Sequence, residues 1–545
     1  MNKNLHQDWY RNAVFYSLDV ESFYDSTGDG VGDFIGLINK LDYLAGLGIT
    51  CIWLIPFYPS PDRDNGYDVM DYYNVDPQLG NLGDFAVFIE KADNLGIRII
   101  IDLVVNHTSI QHPWFQEARK NKNSPYHDYY IWSEEPIEFD ESRLMFKGEE
   151  ETVWTYDKSA KKYYLHRFYK EQPDLNLGNE AVREEILKIM GFWLRLGVSG
   201  FRIDAAEIMV ENYGLVGVDE KTLHDFFNEM LDFALAKKRD ALLLAEVNGK
   251  PDEIKKFLGK GNKVHMLFNF YLNQYLFLSL VQNKATSLKE AIQNLPKLVH
   301  KNLFLNFLRH HDELNLKLLK KNEMKQVFDK LAPEENMRAF GFGIRRRLSP
   351  MFDGDQKILR FVYSLMFSLP GIPMIRYGEE IGMGDDLSLE GRESVRTPMQ
   401  WTKNKNGGFS EADEKDLVHP VINKGQYGYQ NINILNAQHD ASSLLNWIEK
   451  LIITRKQCPE IGFGNIKIFN SPNDSILFHA FEWNKEKLYL LHNFSPEKER
   501  CNRKKFLPEK GELFEVLSDV ETNEDTKEDI LINGYGYRWF RLQKL

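Results

Sequence analysis

The sequence predicts an α/β fold, namely a (β/α)8 TIM barrel with a B subdomain inserted after strand 3 and a C-terminal all-β domain. Three observations lead to this prediction. Eight short apolar runs alternate with segments of helical period, charged residues follow the ends of several runs, and the pattern becomes short alternating strands after residue 457. Eight strands, each followed by a helix or an insertion, are the complement of such a barrel.

The first three strand–helix units occupy residues 1–107. The predicted strands are Val14–Phe23, Thr50–Pro56 and Ile97–Val105, and the predicted helices are Asp33–Leu47 and Asn81–Leu95. The third strand, IRIIIDLVV, is apolar enough to be buried on both faces of a parallel sheet. Residues 108–178 are aromatic, charged and without a clear helical period, so we interpret them as the inserted domain B.

Residues 179–457 complete the predicted barrel. The strands expected there are Ser199–Ala205, Ala241–Glu246, Val264–Phe270, Leu303–Leu308 and Pro373–Tyr377, and the helices are Glu180–Leu196, Lys221–Lys237, Ser287–Asn294, Gln356–Ser368 and Ser442–Lys456. The alternation breaks near 315–350, where Arg345-Arg346-Arg347 is interpreted as a solvated face or a salt-bridged helix end. Strands such as Ile476–Trp483 and Lys487–His492 predict a β-sandwich domain over 458–545.

Composition narrows the possible partners and compartments. The net charge of −12 argues against a nucleic acid or an anionic membrane surface as a partner. The three cysteines are far apart and form no CxxC pair, which favours a reducing compartment. The sequence has no apolar run of about 18 residues and no signal-peptide pattern at its start, so we expect no membrane span and a cytoplasmic location.

Charged residues follow the predicted strands at their C-terminal ends, where barrel enzymes place their active sites. Arg202 and Asp204 are two residues apart on a strand and therefore share a face. Glu246 follows four apolar residues, and Asp312 follows His311 after the seventh strand. Because clustered acids repel each other, three converging carboxylates are better explained by catalysis than by fold maintenance.

Paired carboxylates about 5–5.5 Å apart are the apparatus of a retaining glycosidase. We assign Asp204 as the nucleophile, because an adjacent arginine favours its ionised form. Glu246 suits the acid/base, since desolvation on an apolar strand raises a carboxyl pKa. Asp312, with His311, is expected to hold sugar hydroxyls.

Five segments resemble the short regions that mark the α-amylase family (glycoside hydrolase family 13). They are Asp102–His107, Gly200–Asp204, Ala245-Glu246, His310–Asp312 and Gln172–Asn176. Within the family the chain is most similar to the trehalose synthase branch, above all in Trp53–Pro61 and Val395–Trp401. The resemblance implies a retaining mechanism on small α-glucosides, with the three roles assigned above.

The resemblance also implies substrate-binding residues. They are Tyr67, Asp68, His107, Phe168, Arg202, His311 and Arg396. Tyr67 would stack under the reacting sugar and Phe168 would lie at the pocket mouth. An ion pair between Asp68 and Arg396 would close the pocket at the non-reducing end, unless Asp68 only caps a turn.

Calcium is expected as a structural ion. Asp25, Thr27, Asp29, Val31 and Asp33 resemble an EF-hand-like loop, with oxygen ligands at alternate positions. Relatives usually have asparagine where Thr27 stands. The resemblance alone implies a second site at Asn106, Asp174 and Glu211. No organic cofactor is expected, and a homodimer is plausible for such relatives.

Three residues depart from the trehalose synthase pattern, namely Ala206, His310 and Arg376. The leading hypothesis is the interconversion of maltose and trehalose through a glucosyl-Asp204 intermediate. The alternative is an α-glucosidase that hydrolyses or transglycosylates short α-1,4-glucosides. A non-catalytic, sugar-binding barrel is a third hypothesis, which the presence of all three acids disfavours.

Overall fold

The protein is described here from a computed structural model, in which residues 8–137, 145–146, 149–212, 214–299, 302–471, 473–503, 512–520, 525 and 528–543 are placed. Eight parallel strands form a closed barrel. They are β1 (Phe15–Leu18), β2 (Cys51–Leu54), β3 (Arg98–Leu103), β4 (Gly200–Ile203), β5 (Leu242–Ala245), β6 (Met266–Phe268), β7 (Leu303–Phe307) and β8 (Ile372–Arg376). The strands follow each other in chain order and β8 closes on β1, so the predicted barrel is confirmed.

Seven of the eight barrel strands are shorter than the runs predicted from the sequence, and β8 has the predicted length but begins one residue earlier. The run at Val14–Phe23, for example, contributes only the four residues of β1. The residues after Leu18 are mostly buried too, but they lie in the loops above the barrel. Apolar content therefore marks burial, and the end of the hydrogen-bonded ladder has no separate signal in the sequence.

The α-helices surround the barrel and extend into the insertions. Their bounds are Phe34–Leu47, Leu82–Asn94, Pro113–Lys120, Glu180–Arg195, Ala206–Glu211, Glu220–Lys237, Pro251–Leu258, Phe270–Gln282, Thr286–Asn294, Lys321–Leu331, Leu348–Met351, Gln356–Ser368, Ile434–His439, Leu444–Lys456 and Pro459–Phe463. Several begin at side-chain caps. Asn81 and Asp84 form a capping box, and Asp33 accepts a hydrogen bond from the Gly36 amide.

Eight of the α-helices in the described ranges lie where the sequence predicted none, and three of them show why. Phe270–Gln282 is buried around nearly its whole circumference, so it shows little of the periodicity that reveals an amphipathic helix. Pro113–Lys120 has only eight residues and lies in the insertion that was interpreted as irregular. Lys321–Leu331 lies within the predicted break at 315–350.

Alternation along the strands separates the barrel interior from the surrounding core. On β5, Leu242 and Leu244 belong to the interior cluster, whereas Leu243 packs in the outer core with the helices. The same period of two directs Glu246, the next residue in phase, toward the barrel axis. The interior of the barrel thus leads up to the polar residues at its C-terminal rim.

The insertion between β3 and β4 contains a three-stranded antiparallel sheet. Its strands are Trp132–Ser133, Trp154–Asp157 and Lys162–Leu165. An isolated bridge from His107 to Asp174 joins the barrel rim to the end of the insertion, and a second, from Tyr130 to Leu175, joins two segments of the insertion. A smaller sheet, Leu314–Asn315 with Arg338–Ala339 and Gly343–Ile344, follows β7.

The C-terminal region is built of antiparallel strands. Five form one sheet (Asn465–Ile468, Ile476–Trp483, Glu486–Asn493, Tyr537–Gln543 and Glu512–Ser518), and two form another (Glu499–Asn502 and Asp529–Ile532). Apolar residues from both sheets share one core, as in a sandwich. The Trp539 indole donates to Ser364 Oγ at 3.0 Å, which anchors this region on helix Gln356–Ser368.

Ion pairs hold the basic run Arg345-Arg346-Arg347 within the fold. Arg346 and Arg347 form ion pairs with Asp385 and Glu379, and Arg345 and Arg347 are buried. The salt-bridged interpretation of the basic run is therefore right, and the solvated face is wrong.

None of the helices that the structure describes has the length and apolarity needed to cross a membrane.

Candidate active site

Arg202 joins three carboxylates at the rim of the barrel. Its Nη1 lies 2.5 Å from Asp102 Oδ1 and also contacts Asp204, and its Nη2 lies 2.8 Å from Glu246 Oε2. Strand register explains the arrangement, since Arg202 lies beside Asp102 of β3 and beside Leu244 of β5. The two acids predicted from the sequence as nucleophile and acid/base are thus held by one guanidinium group.

Burial has the largest effect on the pKa values of Asp204 and Glu246. It raises the pKa of Asp204 to about 7, and Arg202 opposes the shift. The predicted contact therefore exists, but it does not bring the pKa of Asp204 back to the ordinary carboxyl range. Burial likewise raises the pKa of Glu246 to about 7, the direction expected for an acid/base, and again Arg202 opposes it.

Asp312 lies in a cationic part of the site, after β7. Its Oδ1 contacts Arg392 at 3.1 Å and Arg396 at 3.0 Å, and its Oδ2 lies 3.1 Å from His311 Nε2. Burial acts to raise the pKa of Asp312, but the charge of Arg392 and the hydrogen bond from His311 hold it well below its usual range. Asp312 is therefore ionised at neutral pH, unlike the partly protonated acids on Arg202.

Aromatic and imidazole rings line the wall of the pocket. The Tyr67 ring stacks on His311, and its hydroxyl lies 2.9 Å from His311 Nε2. Burial lowers the pKa of His311 to about 3 and that of His107 to about 4, so both rings are neutral at neutral pH. His107 packs against Phe168, with ring centroids 4.9 Å apart.

These side chains surround one cavity. It is lined by Asp64, Tyr67, His107, Met145, Phe168, Asp204, Ala205, Glu207, Ile208, Glu246, Asn248, Phe270, His310, Asp312, Glu313, Asn315 and Arg392. Of the predicted site residues, the three acids, Tyr67, His107 and Phe168 line the cavity directly. Arg202, His311 and Arg396 support them from behind.

The predicted ion pair between Asp68 and Arg396 is wrong. Asp68 is fully buried beneath its own loop, where it accepts hydrogen bonds from Ser60 Oγ at 2.8 Å and from the Arg63 amide at 3.1 Å. It therefore caps a turn, which was the alternative interpretation. Arg396 instead contacts Asn65, Glu393 and Asp312.

Several residues that line the cavity were missed in the sequence, and Asp64 and Arg392 are among the charged ones. Burial raises the pKa of Asp64 to about 6, against the opposing charges of Arg392 and Arg396. Asp64, four residues before Asp68, is therefore the carboxylate that faces the arginines at this end of the cavity. Its place in the same loop was the available signal, but turn residues give no periodicity from which to choose between the two acids.

The loop predicted to bind calcium has the expected oxygen-rich composition. Asp25 accepts hydrogen bonds from the amides of Gly28 and Gly30, and Asp33 accepts them from Ser26 and Gly36. Among the described residues, the three loop carboxylates do not form a group within ligand distance. The arrangement is that of a self-capped turn, in which Thr27, Asp29 and Val31 also take part.

The second predicted cation site is better prepared. Asn106 Oδ1 is buried without a hydrogen-bond partner, and Asn106 Nδ2 lies 3.3 Å from Asp174 Oδ1. Burial raises the pKa of Asp174 to about 7, although Arg167 opposes the shift. Glu211, the third predicted ligand, contacts Arg167 at 2.8 Å. Asn106 and Asp174 thus fit an oxygen-seeking cation, whereas Glu211 is engaged elsewhere.

Of the three departures from the trehalose synthase pattern, only His310 lines the cavity. Arg376 Nη1 donates to the His310 carbonyl at 2.9 Å, so it supports His310 from below. Ala206 is buried in the first turn after Asp204, and its amide donates to the Glu246 carbonyl at 3.2 Å.

Comparison with known proteins agrees with this geometry. The family model described as the alpha-amylase catalytic domain matches residues 19–339 and 321–464. The chain belongs to the alpha-amylase family. It is 39% identical over 479 residues to the trehalose synthase/amylase TreS of Mycolicibacterium smegmatis, covering 87% of this chain and 81% of that protein.

Two further family members are similar over nearly the whole chain. The trehalose synthase of Pimelobacter sp. is 35% identical, covering 98% of this chain and 96% of its own length. The crystal structure of an alpha-amylase from H. orenii is 26% identical, with a TM-score of 0.79, and covers 97% of this chain and 99% of that one. The fold and the order of the site segments are therefore those of the family.

Proposed function

We propose that this protein interconverts maltose and trehalose by transfer of a glucosyl group through a covalent intermediate on Asp204. The observation that carries the proposal is the shared contact of Asp204 and Glu246 with Arg202 at one end of the cavity. The similarity to trehalose synthases over most of the chain supports this substrate pair.

In the first half of the reaction, Asp204 attacks the anomeric carbon and Glu246 protonates the departing oxygen. A pKa of about 7 leaves Glu246 about half protonated at neutral pH, and the protonated form can donate that proton. Asp312, Asp64 and the neighbouring arginines would grip the hydroxyls of the transferred glucose. Their fixed charges would stabilise the flattened, oxocarbenium-like ring without reorganisation.

In the second half, the released glucose turns within the pocket and attacks the intermediate through its own anomeric hydroxyl. Glu246, now ionised, accepts the proton from that hydroxyl. Isomerisation therefore requires that the glucose stays and that water is kept out. Tyr67, His107 and Phe168 would provide the aromatic walls for this step.

The alternative function is an α-glucosidase that acts on short α-1,4-glucosides. One observation favours it, namely a second cavity that shares five lining residues with the reaction cavity. Water or another acceptor could enter through that opening.

Incubation of the purified protein with maltose, followed by chromatography that resolves sugars, separates the two functions. Trehalose that forms ahead of glucose supports the isomerase. Glucose without trehalose, or longer oligosaccharides, would support the glucosidase and overturn the leading proposal. Asp204→Ala should abolish all products. If the protein were a non-catalytic barrel, the wild type itself would form none.

A structural cation at Asn106 and Asp174 is a further part of the proposal. When bound, the ion would neutralise buried charge where the insertion meets the barrel, and it takes no part in the glycosyl transfer. Elemental analysis of the purified protein and a calcium-dependent rise in its melting temperature would test this. Calcium binding by the Asp25–Asp33 loop, a homodimer and a cytoplasmic location stay predictions.

A further inference from the structure

Glu207 lies at the junction of the two cavities. It occupies the first turn of helix Ala206–Glu211, three residues after Asp204, and lines both the reaction cavity and the second cavity. The second cavity, about 490 Å³, is much larger than the reaction cavity, about 80 Å³. Any sugar that leaves the reaction cavity in this direction passes Glu207.

The carboxyl group of Glu207 is held at one oxygen and open at the other. Oε2 accepts a hydrogen bond from the amide of Asn248, two residues after Glu246. Oε1 makes no hydrogen bond to any residue in the described ranges. One oxygen therefore fixes the side chain beside the acid/base, while the other is available to a ligand in the cavity.

The surrounding charges favour a protonated Glu207. Burial and the charge of Glu246 raise the pKa of Glu207 to about 8, Glu211 acts in the same direction, and Lys317 opposes them. At neutral pH the group can therefore donate as well as accept a hydrogen bond. Asp64 and Asp312, by contrast, lie near Arg392 and Arg396, at the end assigned to the transferred glucose.

We propose that Glu207 binds the acceptor sugar, through a hydrogen bond between Oε1 and one of its hydroxyl groups. The inference rests on the proposed function and adds a named residue to the acceptor half of the site. When the acceptor attacks, its oxygen forms the new bond to the anomeric carbon, and the bond to Asp204 breaks. The acceptor proton passes to Glu246, while Glu207 orients the attacking sugar and exchanges no proton.

The experiment uses α-glucosyl fluoride as the donor and added glucose as the acceptor. Fluoride release measures formation of the intermediate, and the ratio of disaccharide to free glucose formed from the donor measures how acceptor competes with water. Isotopically labelled donor distinguishes that glucose from the added acceptor. Glu207→Met, which is similar in size but forms no such hydrogen bond, should lower the ratio about tenfold.

Two variants provide the comparison. Glu207→Gln keeps a hydrogen-bonding group and should retain the ratio to within about threefold. Glu220→Gln removes a carboxylate from the second cavity without touching the reaction cavity, and should behave as the wild type. If Glu207→Met fails to fold, as judged by its melting curve, Glu207→Ala takes its place.

An unchanged ratio in Glu207→Met would overturn the inference, as would an equal loss in Glu220→Gln. A wild-type protein that hydrolyses the fluoride but never transfers glucose would overturn it too. A wild type that forms other disaccharides but no trehalose would contradict the proposed function. Glu207 would still be tested in that case, because the ratio counts every disaccharide.

Discussion

Replacement of Arg202 by lysine tests the central contact of the site. Arg202 is 2% exposed and reaches Asp102, Asp204 and Glu246 with two nitrogen atoms. A lysine keeps the charge but has a single nitrogen, so at least one charge-assisted hydrogen bond is lost. Such a bond contributes about 1.5–3 kcal/mol, which predicts a loss in kcat/KM of about 10- to 150-fold.

The pH profile should change as well. The nucleophile must be ionised and the acid protonated, so activity falls as pH drops below the pKa of Asp204 and as it rises above that of Glu246. Both values are about 7, and Arg202 lowers both. The weaker contacts of lysine should therefore shift both limbs of the profile to higher pH.

The assay is kcat/KM for maltose between about pH 5 and 9, with melting curves to confirm that Arg202→Lys is folded. Lys188 is exposed and, within the described part of the chain, is ion-paired only with Glu185. It supplies a matched control, and Lys188→Arg should leave the profile unchanged. A folded Arg202→Lys protein with kcat/KM within twofold of wild type, and an unmoved profile, would refute the role assigned to Arg202.

Four further outcomes are expected. Glu246→Gln should lower kcat/KM for maltose by at least about 100-fold but affect α-glucosyl fluoride less, because fluoride leaves without a proton; equal losses in rate assays would contradict this. Asp64→Asn should weaken trehalose binding about tenfold, whereas Asp68→Asn should mainly lower the melting temperature; titration calorimetry and melting curves reveal whether the two are reversed. Gly36→Ala should destabilise the protein by about 1–3 kcal/mol or more, since a Cβ there would lie 1.9 Å from the Tyr24 carbonyl oxygen. Gly46→Ala, in the same helix with nothing within 4 Å, should instead stabilise it by about 0.5–1 kcal/mol in denaturant unfolding.

The sequence predicted the barrel because its strands are buried on both faces and its helices on one. These two patterns differ in period, and most of the helices they predicted lie within a residue or two of the observed bounds. Phe270–Gln282 escaped because a helix buried all round has almost no polar stripe to reveal it. Apolar runs also extend past the last ladder hydrogen bonds, so the predicted strand ends were too long.

In the site, residues on strands could be placed from the sequence, whereas residues in loops could not. Arg202, Asp204 and Glu246 could be placed together because alternation along β4 and β5 fixes the direction of their side chains. Asp64 and Arg392 come from loops, where the backbone path decides which carboxylate faces the cavity and which one caps a turn. That path depends on tertiary contacts, such as those of Asp68 with Ser60 and Arg63. The electrostatic effect of burial on Asp204 likewise depended on the folded surroundings.

Closure of the barrel joins β1 to β8, with Phe15 opposite Met374. Residues around the cavity are also far apart in the chain, since the six barrel strands β3 to β8 lie between Asp64 and Arg392. No fragment that ends before Arg392 can contain the complete site. The order of synthesis therefore makes the enzyme inert until most of the chain has emerged, and regain of activity during refolding should report the slow, long-range step of ring closure rather than the earlier formation of helices.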